Sequence, residues 1–165
     1  MDVENFLKEK AILFEKLGKS RTFFIFDEES NQFNILAYFS LALQVLKIPN
    51  ELLSGRKTKN LDGFSSKYKG KKITDFPAIL IGQLGKNEPY SGLVTGYELL
   101  QYCISTILIG QTKLSGRIIM LECKNIPHLL KLYKDFGFSL IEKDYSKGEL
   151  LQMIKVLNEN ELMES

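Results

Sequence analysis

Hydrophobic side chains recur along this chain at two spacings, and each change of spacing marks a predicted element. Residues 3–17 carry apolar side chains at helical spacing, which predicts an amphipathic helix at the N-terminus. Two apolar runs follow, at residues 22–26 and 33–43, and a polar segment separates them. This pattern predicts a β-hairpin with a solvated tip. The tip holds three acidic residues, Asp27, Glu28 and Glu29.

The second half of the chain alternates apolar runs with amphipathic segments. Continuous apolar residues and helical spacing predict, in order, a strand at 76–85, a helix at 97–109, a strand at 117–123 and a helix at 126–136. Residues 138–143 and 150–157 predict a closing hairpin, although the second piece suits a short helix equally well. The alternation of strand and helix implies a sheet with at least one parallel pair.

The middle of the chain, residues 45–72, is less regular and predicts a loop with a short helix near residues 50–53. It concentrates positive charge, because residues 55–72 hold seven basic side chains and one acidic one, Asp62. The local net charge is therefore +6 in a chain whose total is +2. A solvated loop explains this charge, and contact with phosphates is the alternative. The basic residues are Arg56, Lys57, Lys59, Lys67, Lys69, Lys71 and Lys72.

Composition narrows the class of protein. With 165 residues, of which 44% are hydrophobic and 25% charged, the chain predicts one folded domain over residues 1–165, large enough for a core and a ligand cleft. The N-terminus lacks the pattern of a signal peptide, and the apolar runs are too short to span a bilayer, so a cytoplasmic protein is predicted. Cys103 and Cys123 are predicted to be buried free thiols. His128 is the one histidine, so neither a metal site nor a Ser-His-Asp triad is predicted.

The segment YSGLVTGYELL, residues 90–100, places Gly92 and Gly96 between a predicted strand and a predicted helix. The first N–H groups of a helix have no intrahelical acceptor and lie at the positive end of the helix dipole. Ser91 and Thr95 add hydroxyl donors. The segment therefore predicts an anion site, while a turn that needs glycine explains the same residues equally well.

Two further motifs follow this segment, the strand RIIMLEC at residues 117–123 and LYKDFGF at residues 132–138. In this order the three resemble the GNAT superfamily of N-acetyltransferases, where a glycine loop ending in Leu-Leu precedes a helix, a strand and a helix with Leu-Tyr-x-x-x-Gly-Phe. The resemblance covers residues 76–140 by motif. It implies an α+β fold with a central mixed, mostly antiparallel sheet, a splayed parallel pair and flanking helices.

The resemblance also implies a function, the transfer of an acetyl group from acetyl-CoA, as cosubstrate, to a primary amine. Tyr133 matches the tyrosine that protonates the departing thiolate. Backbone groups of Leu84 and Lys86 are expected to bind the pantetheine arm and the acetyl carbonyl. The expected pyrophosphate loop is formed by Ser91, Gly92, Leu93, Val94, Thr95 and Gly96.

The loop departs from the family pattern at two positions. Ser91 stands where the family has Gln or Arg, and Val94 replaces the middle glycine. A general base is not assigned. Glu122 on the following strand is a candidate, and ordered water is the alternative.

Two alternative functions stay open. The register of residues 81–100 and the long segment before it resemble the tRNA-acetylating toxins of toxin–antitoxin pairs, in which case the basic stretch is expected to contact tRNA phosphates. The departures in the loop favour instead a non-catalytic module that binds CoA or a protein. The predicted partners are an amine-bearing small molecule or peptide, tRNA for the toxin alternative, and a second copy of the chain in a homodimer. No membrane partner is predicted.

Overall fold

A six-stranded sheet is the central element of the computed structural model, which describes residues 3–28 and 33–163. The helices are α1 (Val3–Glu9), α2 (Ala11–Lys16), α3 (Gly55–Asp62), α4 (Gly96–Leu114), α5 (Pro127–Asp135) and α6 (Glu159–Met163). The strands are β1 (Arg21–Asp27), β2 (Asn34–Lys47), β3 (Lys67–Tyr68), β4 (Lys71–Lys72), β5 (Asp75–Lys86), β6 (Ile118–Cys123), β7 (Ser139–Leu140) and β8 (Leu151–Val156). Short 3₁₀ turns lie at Asn50–Leu52 and Glu88–Tyr90. Within the described residues, the helices are too short or too polar to cross a membrane.

The strand order in the large sheet is β1-β2-β5-β6-β8-β7. Every neighbouring pair is antiparallel except β5 and β6, which are parallel. Helix α4 connects these two strands, as a parallel pair requires a crossover. The predicted mixed, mostly antiparallel sheet with one parallel pair is therefore confirmed.

Helices cover both faces of the sheet, and the alternation of side chains along β5 shows which face each group covers. Ile79 and Ile81 point to the face that carries α4 and α5. Ala78 and Leu80 point to the opposite face, where α3 packs. Helices α1 and α2 lie on that same face over Tyr38 of β2. The site described below lies where these layers meet the end of the parallel pair.

Three predicted elements differ from the structure. The N-terminal helix breaks at Lys10 into α1 and α2. Residues 55–62, predicted as irregular, form α3, because Ser54 accepts a hydrogen bond from Lys57 N at 3.1 Å and Thr58 and Leu61 are buried on one side. Residues 67–72, predicted as irregular, form the β3–β4 hairpin. For residues 150–157 both a strand and a short helix were predicted, and the structure has a strand, β8. Glu29 lies outside the described residues.

Strand β5 contains a β-bulge at Gly82. Gln83 pairs with Ser40 and Ile81 pairs with Leu41, so Gly82 is the extra residue in the ladder with β2. A Cβ at Gly82 would lie 3.2 Å from Ser40 Oγ, which is tighter than ordinary packing allows. Because a bulge bends its strand and increases its twist, Gly82 marks the point at which β5 turns away from its original direction.

The bulge yields a stability prediction. We expect Gly82→Ala to lower the free energy of unfolding by about 1 kcal/mol, because the new methyl group overpacks against Ser40. Ser40→Ala in the same chain should recover most of this loss, with Ser40→Ala alone as the control. Urea denaturation of the four chains measures the coupling, and an equal loss in the single and double variants would show that the Ser40 contact is not the cause.

Candidate functional site

The candidate site is the gap that opens between the two parallel strands. Strands β5 and β6 pair at three positions, of which the last is Ile81 with Leu121. Beyond that point β5 continues to Lys86 beside β2, and β6 continues to Cys123 beside β8. In residues 82–86, the backbone groups that face away from β2 therefore have no strand partner in the described chain. The structure thus contains a splayed pair with free backbone donors and acceptors on one wall.

Four backbone N–H groups lie unpaired at the entrance to α4. The N–H groups of Gly92, Val94, Gly96 and Tyr97 make no hydrogen bond to the residues that the structure describes. Two of them belong to the first turn of α4, where the helix dipole is positive. This cluster of N–H groups, which we call the cradle, has the donor chemistry that a pyrophosphate requires.

Thr95 is the N-cap residue of α4, and its N–H and hydroxyl groups are already hydrogen-bonded. It forms a capping box with Glu98: Glu98 N donates to Thr95 Oγ1 at 3.1 Å, and Thr95 N donates to the Glu98 carboxylate at 2.8 Å. The Thr95 hydroxyl also donates to that carboxylate at 2.8 Å. These bonds, the backbone one first, hold the pKa of Glu98 below its ordinary value, so a fixed negative charge lies beside the cradle.

Lys86 supplies the opposite charge. Its Nζ folds back from the end of β5 and donates to the carbonyl oxygen of Ser91 at 3.0 Å. The ammonium group therefore lies against the loop that precedes the cradle. Sequence reasoning assigned only the backbone of Lys86 to the site, and the position of its side chain depends on a turn that residue spacing does not reveal.

The loop residues differ in what they present. Val94 is only 6% exposed and its side chain packs in the core under the loop, so it does not project into the cradle. Leu93 is 61% exposed. At Gly96 a Cβ would lie 3.4 Å from Leu132 of α5, which is an ordinary van der Waals contact. At Gly92 a Cβ would meet open space, so packing does not explain that glycine.

Tyr133 lies in the core that also contains Val94 and Leu84, with 8% of its surface exposed. The ring packs edge-on against Phe138 at 6.1 Å between centroids. Burial, followed by the neighbouring Cys123 and Cys103 thiols, raises the pKa of Tyr133 to about 12. The Tyr133 hydroxyl makes no hydrogen bond to the described residues, and its oxygen is not fully buried. The hydroxyl is therefore accessible from solvent.

The Leu-Tyr-x-x-x-Gly-Phe motif has a structural explanation in α5. Gly137 has φ of 86°, a left-handed conformation that ends the helix after Tyr133. Phe138 N donates to the carbonyl oxygen of Tyr133 at 3.0 Å, which turns Phe138 into the core. The motif therefore fixes the end of the helix that carries the tyrosine.

One hydrophobic core joins several of the predicted site residues. Leu84, Val94 and Tyr133 all belong to the core between the sheet and α4. Cys103 and Cys123 lie in the same core, and the prediction of buried free thiols is confirmed. Burial raises the pKa of Cys103 to about 12 and also raises that of Cys123, so both remain protonated thiols at neutral pH.

Two residues near the site were not singled out from the sequence. Asn87 ties the end of β5 to β2, because its side chain donates to Ile35 O at 2.9 Å. The Tyr90 hydroxyl donates to Asn34 Oδ1 at 3.0 Å. These bonds anchor the 3₁₀ turn that leads into the loop, and they join residues more than fifty positions apart. By contrast, the Thr-x-x-Glu spacing of the capping box was readable in the sequence.

The remaining candidates lie at the margin of the site or away from it. Glu122 is exposed and accepts a hydrogen bond from Gln152 Nε2 at 2.8 Å. His128 is exposed on α5. Two apolar grooves, of about 650 and 660 Å³, lie at the opposite end of α4, beside Leu43 and Leu114. The first groove is lined by cationic and hydroxyl side chains as well as apolar ones, including Lys19, Arg21 and Thr106. The splayed gap is distinguished from both grooves by the helix N-terminus of the cradle and by free strand backbone.

Comparison with known proteins adds structural relatives. No protein-family model matches the sequence, and no curated protein matches it significantly. Among solved structures, the AtaT toxin complexed with acetyl-methionyl-tRNAfMet is 14% identical with a TM-score of 0.69, over 97% of this chain and 84% of that one.

Two further toxin structures are similar. A mutant AtaT toxin bound to the C-terminus of the antitoxin AtaR and acetyl-CoA is 12% identical with a TM-score of 0.65, over 99% of this chain and 84% of that one. A mutant of KacT is 14% identical with a TM-score of 0.63, over 90% and 78%. The chain therefore has the GNAT fold that its motifs predicted, in a form similar to that of the AtaT and KacT toxins.

Proposed function

We propose that this chain is an acetyl-CoA-dependent N-acetyltransferase that acts on a primary amine. The proposal is supported by the splayed gap with its unpaired backbone groups on β5, by the cradle and by a protonated tyrosine. Leu84, Val94 and Tyr133, from these three parts, share one core. A fold match alone does not establish an activity, so the proposal depends on this site. Similar structures that contain acetyl-CoA support it.

The residues present fit the parts of acetyl-CoA. The N–H groups of the cradle suit the pyrophosphate, together with the Lys86 ammonium group. The free edge of β5 near Leu84 suits the pantetheine amides, which need backbone partners. Ser91 and Leu93 belong to the loop that precedes the helix. Thr95 contributes by capping the start of α4.

Acetyl-CoA supplies an activated acetyl thioester. The amine nitrogen adds to the acetyl carbon to give a tetrahedral oxyanion, and the carbon–sulfur bond then breaks. The amine passes its proton to ordered water, and the sulfur takes a proton from Tyr133. Tyr133 keeps its proton at neutral pH because its pKa is about 12, and its hydroxyl reaches accessible space. It can therefore act as the general acid. The backbone donors on β5 can stabilise the oxyanion.

The two charges beside the cradle give the first test. We expect Lys86→Met to weaken acetyl-CoA binding about five- to tenfold, because an ammonium group near the pyrophosphate is lost. Glu98→Gln should strengthen binding about two- to fivefold, because it removes a carboxylate from the same place. Isothermal titration calorimetry measures both.

Acetyl-pantetheine, which lacks the pyrophosphate, serves as the matched ligand, and Lys113→Met at the far end of α4 is the matched variant. Neither Lys86→Met nor Glu98→Gln should change acetyl-pantetheine affinity by more than about twofold. If the wild-type protein gives no heat and no thermal shift at millimolar acetyl-CoA, the proposed function is wrong.

Tyr133→Phe gives the second test. We expect kcat to fall about 100-fold, with the KM for acetyl-CoA little changed, because a general acid contributes to the transition state and not to binding. Thiol release measures turnover. Tyr102→Phe, an exposed tyrosine on α4, is the control. Acetyl-CoA binding without turnover in the wild-type protein would favour the non-catalytic module.

The same pair of variants tests the pKa. Between pH 10 and 12 unfolded Tyr133 loses its proton while folded Tyr133 keeps it, so stability falls by about 1.4 kcal/mol per pH unit as pH rises. Tyr133→Phe should remove this part of the fall, whereas Tyr102→Phe should not.

A second acceptor class is favoured by one comparison. The AtaT structure that contains acetyl-methionyl-tRNAfMet matches this chain over 97% of its length. We therefore propose aminoacyl-tRNA as the acceptor to test against small amines and peptides. With labelled acetyl-CoA, the wild-type protein should transfer the label to methionyl-tRNA. Tyr133→Phe should transfer it only at a low rate. Label on free amino acids or peptides but not on aminoacyl-tRNA would reject this acceptor and keep the acetyltransferase.

A further inference from the structure

A second charged surface lies away from the splayed gap. It comprises the exposed or half-buried cations of α3, the β3–β4 hairpin and the start of β6. We call this the basic patch. A Cβ at Gly63 would overlap the Arg117 guanidinium, so this cation, immediately before β6, packs against the end of α3. The patch consists of Arg56, Lys57, Lys59, Lys67, Lys69, Lys71 and Arg117.

The cations of the basic patch have no carboxylate partner among the described residues. The one acid in the segment, Asp62, uses its carboxylate locally: Ser65 N donates to Asp62 Oδ2 at 2.8 Å and Phe64 N at 3.3 Å. The Arg117 Nε is buried without a hydrogen bond. The positive charge is therefore not neutralised within the described chain.

The hairpin displays its lysines at a cost to its own stability. Lys67 lies directly opposite Lys72, and like charges at paired positions destabilise a hairpin. Lys72 is anchored, since its Nζ donates to the carbonyl oxygens of Asn50 and Leu53. Positive φ at Lys69 and Gly70 forms the tight turn between the strands. A bound polyanion would reduce the repulsion between the exposed lysines of this hairpin.

Two exposed aromatic rings accompany these cations. Phe64 is 86% exposed and Tyr68 is 68% exposed, and Lys69 Nζ lies 5.5 Å from the centre of the Tyr68 ring. Exposed rings interleaved with cations are typical of surfaces on which bases stack while the backbone is neutralised. A merely solvated loop would not require either ring.

We propose that the basic patch, with Phe64 and Tyr68, is a docking surface for a folded RNA that has unpaired bases. Unpaired bases in RNA loops offer faces for stacking, whereas the bases of duplex DNA are stacked on one another. This inference shares with the aminoacyl-tRNA proposal only the class of ligand, RNA. Binding of RNA to the basic patch requires no acetyl transfer.

The basic patch and the splayed gap lie at opposite ends of β5. Nine residues of extended strand separate Asp75, beside the hairpin, from Leu84 at the gap. At about 3.3 Å per residue this is about 30 Å. A small amine in the gap cannot reach the patch, whereas a folded RNA is long enough to contact it.

The test measures binding of deacylated bulk tRNA to the full chain by fluorescence anisotropy, without acetyl-CoA, across a series of KCl concentrations. We expect Lys67→Gln, Lys69→Gln and Lys71→Gln together to weaken binding at least about tenfold and to reduce the slope of log K against log salt by about 2. Lys10→Gln, Lys16→Gln and Lys113→Gln together form the matched control, with the same charge change elsewhere and an effect within about twofold.

A second variant separates stacking from charge. Phe64→Ala with Tyr68→Ala should weaken tRNA binding about tenfold and leave the salt slope unchanged. Thermal unfolding of each variant verifies folding. Equal losses in the hairpin and control triples would overturn the proposal, as would duplex DNA binding as tightly as tRNA. Failure of tRNA binding would leave acetyl-CoA binding by calorimetry unaffected, so the two proposals fail separately.

Discussion

The structure depends on the point where β5 and β6 stop pairing. The two strands share hydrogen bonds only up to Ile81 and Leu121, and the bulge at Gly82 follows at once. From there each strand keeps its other neighbour, so the gap opens without loss of the sheet on either side. Residues 82–86 are exposed or half-buried, so their free backbone groups are open to solvent. They are therefore accessible to a ligand that presents amide and carbonyl groups along β5.

The charge beside the cradle is balanced by two side chains that arrive from different elements. Lys86 reaches the loop from the end of β5, while Glu98 belongs to the first turn of α4. Glu98 stabilises the helix start because it satisfies the Thr95 N–H, yet its charge opposes an incoming anion. The capping bonds fix the start of α4, and the same carboxylate would weaken the attraction for the pyrophosphate of the proposed cosubstrate.

Sequence predicted the parts of this arrangement that depend on local spacing. The Leu-Tyr-x-x-x-Gly-Phe motif was readable because its glycine ends α5 and its phenylalanine returns to the core. The glycine loop was readable as a helix start, although Val94 proved to be a core residue beneath it. Helix α3 was not predicted because it is short, rich in lysine and has only two buried positions, Thr58 and Leu61, which is too few to show helical spacing. The side-chain position of Lys86 and the contact between Arg117 and Gly63 follow from the folded chain, which residue spacing does not encode.

Distance along β5 links the two surfaces of the molecule. The strand is paired on its β2 side from Asp75 to Lys86 apart from the bulge at Gly82, and it runs from the end of the hairpin segment to the splayed gap. A rigid separation of about 30 Å means that a ligand touching both surfaces gains from the second contact without ordering a flexible linker. A compact amine gains nothing from the patch. For the acetyl transfer proposed here, a large polyanionic acceptor would gain from both surfaces, while the basic patch would take no part in the chemistry.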